Sequence, residues 1–112
     1  MRGVSLCNTG RAGAGLAHLR PYLVEQEREG SDYAWSPWLA YDQAQVGLCE
    51  LRAGHRAIAA ALSAKAHAAF VGQPNVSPFF KHPSELLAQA LRRSIPATAL
   101  QTGGALIRIG AL

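Results

Sequence analysis

Residues 37–71 decide the fold of this chain; they read PWLAYDQAQVGLCELRAGHRAIAAALSAKAHAAFV. Apolar and near-apolar residues recur here at alternating intervals of three and four, namely Tyr41, Ala44, Leu48, Leu51, His55, Ile58 and Leu62. This spacing puts them on one stripe of an α-helix and is typical of a helix that packs against a neighbour. Alanine, the strongest helix former, fills much of the remainder. We therefore predict a long Ala-rich helix from Pro37 to Val71.

The start of this helix has a clear signal, whereas its middle is ambiguous. Ser36 is suited to cap the first turn, and Pro37 suits the first helical position. Gly54 costs about 1 kcal/mol relative to alanine inside a helix. Two alternatives follow, one bent helix or two helices that meet near Gly54.

The flanking segments predict two further helices. Residues 16–29 have leucines at helical spacing, but Pro21 removes a hydrogen-bond donor, so we expect a short turn up to Arg20 and a helix that restarts at Pro21. Pro83 is expected to open another helix, which runs to about Ser94 before Pro96 ends it.

The predicted fold class is mainly α, a small loose helical bundle with irregular termini. Residues 1–15 are rich in glycine and are predicted to be a flexible, irregular lead-in. Residues 16–100 are predicted to form the helical domain. Residues 101–112 contain the apolar run Ala105-Leu106-Ile107, which predicts a docking tail or a short strand.

Length and charge limit the classes of protein to which this chain can belong. At 112 residues with a formal net charge of +4, the chain fits one small, mildly basic domain. The composition excludes collagen-like and disulfide-dense proteins, and no stretch approaches the ~18 apolar residues of a membrane span. The acidic residues concentrate between residues 25 and 50, between two basic regions. Such a chain either neutralises itself on folding or presents two basic faces to an anionic partner.

The two cysteines bear on the cellular compartment. Cys7 and Cys49 are far apart and belong to no Cys-x-x-Cys pair, so they form one disulfide or stay as two reduced, buried thiols. The second alternative is favoured, and with no apolar secretory signal it predicts an intracellular, cytoplasmic protein. Mitochondrial targeting is the alternative, because residues 1–24 contain three arginines and no acid.

No motif indicates catalysis, a cofactor or a metal. Gly10 and Gly15 have the spacing of a phosphate-binding loop, but Leu16 and Ala17 replace the Lys and the Ser or Thr that bind phosphate and Mg²⁺. The histidines lack the short spacings of a zinc site. We therefore predict a protein that is not an enzyme and has no identified small-molecule substrate. His55 stands where Leu or Ala is expected, and a partly solvated ring at a helix break is the favoured interpretation.

Two groups of residues are candidates for partner contacts. Aromatic residues dominate the energetics of interfaces, although packing in the core is the favoured interpretation of this group. The candidate partner-binding residues are Trp35, Trp38, Tyr41, Leu48 and Leu51. The candidate anion-binding residues are Arg52, Arg56, Arg92 and Arg93.

These observations lead to two functional hypotheses. The first is a non-catalytic accessory subunit or adaptor that makes helix-mediated contacts with a protein partner or with itself, because the predicted stripe is longer than a small monomer needs. The alternative is a small basic protein that binds nucleic acid or regulates through its arginines.

Overall fold

The computed structural model describes residues 2–30 and 36–93, and within them the chain forms five α-helices and no strand. The helices are α1 (Arg2–Asn8), α2 (Ala12–Gly30), α3 (Pro37–Arg52), α4 (Arg56–Val71) and α5 (Pro78–Arg93). The predicted mainly α bundle is confirmed. In the described ranges, no helix is both long and apolar enough to cross a membrane.

The third helix is the centre of the bundle. α3 packs against all four other helices, with α1 and α2 on one side and α4 and α5 on the other. One group of buried residues joins Cys7, Leu19 and Val46 between α1, α2 and α3. A second group joins Ala40 near the start of α3 to Phe70 near the end of α4. The second group shows that α4 folds back along α3.

Gly54 ends the long helix and resolves the ambiguity in favour of two helices. Its φ of +89° lies in the left-handed region, which glycine adopts without steric cost. The His55 backbone N–H then bonds the Glu50 carbonyl at 2.8 Å, which closes the turn. The reversal divides the predicted stripe, because Ala44 and Leu62 are buried while His55 and Ile58 are exposed. The prediction of one continuous packing stripe is therefore wrong.

The N-terminal segment is helical, which corrects the prediction of an irregular lead-in. Two of its four glycines, Gly3 and Gly15, are points of close contact between α1 and α2. A Cβ added to Gly15 would lie 2.6 Å from both the Gly3 carbonyl oxygen and the Cys7 sulfur. The predicted break at Pro21 is also wrong, because α2 continues through this exposed proline.

The last helix begins earlier than predicted. α5 starts at Pro78, and Pro83 lies inside it, so the expected start at Pro83 is wrong. The Ser77 hydroxyl accepts from the Phe79 backbone N–H at 3.3 Å, as Ser36 does from Trp38. The same Ser-Pro signal therefore starts both α3 and α5. The predicted C-terminal tail, residues 101–112, lies outside the described residues.

The cysteines form a disulfide, so the expectation of two reduced thiols is wrong. Cys7 and Cys49 join α1 to α3 with their Cα atoms 5.6 Å apart. Both side chains are almost fully buried. The bridge attaches the shortest helix to the centre of the bundle.

Reduction of this disulfide is expected to destabilise the protein by about 4 kcal/mol, because the bond closes a long loop in the unfolded chain. Urea unfolding with and without a phosphine reductant measures the difference. Thiol titration should find no free thiol before reduction and two after it. An unchanged urea midpoint after complete reduction would contradict this expectation.

A substitution at Gly47 tests how closely α3, α4 and α5 approach one another. A Cβ on Gly47 would overlap the fully buried Leu87 and lie 3.4 Å from the Leu62 Cβ. We expect Gly47→Ala to cost about 1–3 kcal/mol of unfolding free energy, despite the better helix propensity of alanine.

Gly13→Ala is the matched control, because a Cβ there would have no atom within 4 Å. Its stability should stay constant or rise by up to ~1 kcal/mol. Thermal unfolding of both variants measures the contrast. Equal effects of the two substitutions would show that the approach at Gly47 is not tight.

Candidate functional site

Four aromatic rings meet where α3 and α5 begin, and we call them the aromatic face: Trp38, Tyr41, Phe79 and Phe80. The Trp38 ring lies edge-on to Phe80 with centroids 4.9 Å apart, and Tyr41 stacks on Phe79 at 5.4 Å. Trp38 remains 54% exposed and Phe79 58% exposed. The rings hold one another in place while more than half of each of these two surfaces contacts solvent. The aromatic face is therefore an ordered cluster of rings at the surface of the bundle.

A groove extends from the aromatic face between α3 and α5. Its volume is about 420 Å³. The residues that line it are Tyr41, Gln45, Leu48, Pro78, Phe79, His82, Pro83 and Leu86. On α3 they lie three or four positions apart, and on α5 they recur at alternating intervals of one and three, so each wall is one helical stripe. No acidic side chain contributes to this lining.

The two walls of the groove run in the same direction. The first turns of α3 and α5 touch through Trp38 and Phe80. At the other end, Arg56 follows the short turn after α3, and its Nη2 donates to the Leu91 carbonyl in the last turn of α5 at 2.8 Å. The groove therefore has one aromatic end and one end where arginines gather.

At the arginine end, Arg56 of α4 contacts the last turn of α5, whereas Arg52 of α3 contacts α1. Arg92 and Arg93 are exposed in the last turn of α5, beside the Leu91 carbonyl that Arg56 binds. Arg52 lies at the end of α3, and its Nη1 donates to the Asn8 side chain at 2.6 Å. Arginines in the last turns of α3 and α5 also interact favourably with the helix dipoles.

The structure brings some predicted partner residues together and separates others. Trp38 belongs to the aromatic face, Tyr41 to both the face and the groove, and Leu48 to the groove. Leu51 is half-buried and does not contribute to the groove. Trp35 lies outside the described residues.

Sequence reasoning missed the contribution of α5. Phe79 and Phe80 precede Pro83, where the helix was expected to open, but both lie inside α5. The Ser77-Pro78 pair was the available signal for a helix that starts with two aromatic residues. Asp42, next to Tyr41 in the chain, does not join the aromatic face: it is buried on the α2 side, where it accepts a hydrogen bond from the Tyr22 hydroxyl at 3.0 Å. Burial raises the pKa of this Asp42 carboxyl.

A buried carboxylate is the second chemically distinct feature. Glu50 of α3 is 2% exposed. Both of its oxygens accept from Arg20 of α2, at 2.9 Å from Nε and 2.8 Å from Nη2. The His55 Nδ1 lies 2.8 Å from Glu50 Oε1. The hydrogen bond from Arg20 is the main reason that the pKa of Glu50 is lowered, and the bond to His55 acts in the same direction.

This cluster joins three parts of the chain at the turn after α3. A buried carboxylate is costly without partners, and the fork of the guanidinium satisfies both oxygens at once. His55 occupies the turn between α3 and α4, with its side chain 45% exposed. The expectation of a partly solvated ring at a helix break is confirmed.

No protein-family model, curated protein or solved structure matches this chain. Within residues 2–30 and 36–93, no group of three or more His, Cys, Asp or Glu side chains is placed to hold a metal ion.

Replacing Arg20 tests how much the ionised carboxylate of Glu50 contributes to the stability of the fold. The lowered pKa of Glu50 means that its ionised form stabilises the fold above the pKa of the unfolded chain, and this contribution disappears as the pH falls through the folded pKa. Arg20→Met should raise the pKa of Glu50 in the folded protein, because the burial of the carboxyl then outweighs its remaining hydrogen bond to His55. The variant should lose most stability near pH 7 and less near pH 4, as measured by urea unfolding.

Arg28→Met is the control, since Arg28 forms an exposed ion pair with Glu25. It should change stability little at either pH. A loss for Arg20→Met that is the same at both pH values would contradict the role of Glu50 ionisation.

Proposed function

We propose that this protein is a non-catalytic adaptor or accessory subunit that binds an amphipathic helix of a protein partner in the groove between α3 and α5. The observation that carries the proposal is the exposed aromatic face, which continues into a groove with two helical walls. A helix that lays its apolar side into such a groove is a common mode of peptide recognition.

The dimensions support a helical ligand. The lining residues extend from Tyr41 to Leu48 on α3 and from Pro78 to Leu86 on α5, so at 1.5 Å per residue the groove is roughly 12 Å long. A partner helix would contact it over about two turns. The exposed parts of Trp38, Phe79 and Leu86 supply apolar area that such a helix would remove from water.

The charges specify the chemistry of the partner. The groove lining contains no carboxylate, and its far end carries exposed arginines in α5. An acidic end on the partner helix would lie against them, which favours one orientation and excludes helices with basic ends. The proposed partner is therefore an amphipathic helix with one apolar side and one acidic end.

Two synthetic peptides test this directly. Both are about 18 residues long and share the same apolar face, and one ends in glutamates while the other ends in lysines. Titration of the ¹⁵N-labelled full-length protein should show saturable shifts at Tyr41, Leu48 and Leu86. We expect the glutamate peptide to bind at least about tenfold more tightly than the lysine peptide.

Leu86→Glu and Ile58→Glu form a matched pair of variants. Their side chains are 41% and 46% exposed, but only Leu86 lines the α3/α5 groove. Leu86→Glu should weaken peptide binding by at least about tenfold, whereas Ile58→Glu should leave it nearly unchanged. Shifts that map elsewhere, or equal effects of both variants, would overturn the proposal.

Nucleic-acid binding is the competing outcome, because the same arginine end could contact phosphates. Fluorescence anisotropy with a short labelled RNA and DNA separates the two. If binding is tight, falls steeply with salt and is lost in an Arg92→Gln, Arg93→Gln double variant, the arginines contact phosphates. That result, together with absent peptide binding, would replace the adaptor proposal.

A further inference from the structure

A second cleft lies on the opposite part of the molecule, beside the buried carboxylate cluster. Its volume is about 390 Å³, within the roughly 300–1,000 Å³ usual for small-molecule sites. It lies between the first half of α2 and the turn that contains His55. The lining residues are Gly13, Leu16, Ala17, Arg20, Pro21 and His55, and none of them lines the α3/α5 groove.

We propose that this cleft binds a small organic carboxylate, which accepts hydrogen bonds from Arg20 and His55 while its apolar part contacts Leu16, Ala17 and Pro21. The two titratable residues in the lining are the proposed ligands of the carboxylate. Glu50, directly behind them, holds both in place.

The donors that remain unused support this arrangement. Glu50 accepts hydrogen bonds from Nε and Nη2 of Arg20. The third guanidinium nitrogen, Nη1, makes no hydrogen bond to any residue that the structure describes. The contact with Glu50 likewise occupies Nδ1 of His55 and leaves Nε2 without a bond to the described part of the chain. Both side chains are about half exposed and line the cleft. Two nitrogens on neighbouring side chains match the two oxygens of one carboxylate.

Charge balance favours a monoanion over phosphate. Glu50 offsets the charge of Arg20. The two nitrogens that remain in the lining match the two oxygens of one carboxylate, whereas a phosphate dianion would remain without enough partners. Lys65 is not an additional partner, because it does not line this cleft and lies 3.4 Å from Glu27.

The His55 Nδ1 also lies 3.2 Å from Arg20 Nη2. Nδ1 is therefore engaged within the cluster, and Nε2 is the ring nitrogen of His55 that remains to contact the ligand.

Benzoate is the first probe, because it combines one carboxylate with a flat apolar body. Benzamide has the same shape without the charge, and inorganic phosphate has the charge without the apolar body. In NMR titrations of the full-length protein near pH 6, benzoate should shift the Arg20 and His55 side-chain signals to saturation. Benzamide and phosphate should bind at least about tenfold more weakly.

Ala17 offers a matched pair of variants that spares the carboxylate cluster. It is exposed in mid-helix and lines the cleft, so Ala17→Glu and Ala17→Gln should both fold. Ala17→Glu places a fixed negative charge at the site and should weaken benzoate binding by at least about tenfold, whereas Ala17→Gln should stay within about threefold. His55→Gln should weaken benzoate binding, whereas His67→Gln, on the exposed surface of α4, should leave it nearly unchanged.

Each remaining outcome would overturn the proposal. No saturation at tens of millimolar benzoate would show that the cleft has no such site. Equal affinity for phosphate, or equal effects of the two Ala17 variants, would show that the cations attract anions without forming a carboxylate site.

Discussion

The close approach of the other helices to α3 is the constraint on which the structure depends. Ala40, Ala44 and Gly47 have little or no side chain, so α4 and α5 can lie directly against the backbone of α3. On the other side, Gly3 and Gly15 allow α1 to approach α2 in the same way. The core therefore holds few large side chains, and small residues replace them at the points of contact.

This mode of packing explains where the larger apolar residues are. Phe70 is buried, but the four rings of the aromatic face lie at the edge of the bundle, where they support one another and Trp38 and Phe79 stay exposed. The same packing leaves α3 and α5 side by side as two walls. The proposed interaction surface thus lies where the close packing of small residues ends.

The polar interactions act at the turn after α3. Gly54 reverses the chain, and Glu50 fixes the reversal by holding Arg20 of α2 and His55 of the turn. The disulfide joins α1 to α3 one residue before Glu50. Covalent, ionic and conformational constraints therefore meet within a few residues, and the cleft proposed to bind a carboxylate lies against this rigid point.

Local patterns in the sequence determined the helical class, the N-terminus of α3 and the two ways in which Gly54 could act. These depend on propensity and on near neighbours, which a linear chain displays directly. The Gly3–Gly15 contact, the Cys7–Cys49 bridge and the start of α5 at Pro78 were predicted wrongly. The pairing of Glu50 with Arg20 and the alignment of α3 with α5 were not foreseen at all. The start of α5 had a local signal in the Ser77-Pro78 pair, whereas the other features depend on residues far apart in the chain. Only the tertiary structure decides whether a glycine serves as a flexible joint or as a place where two helices meet.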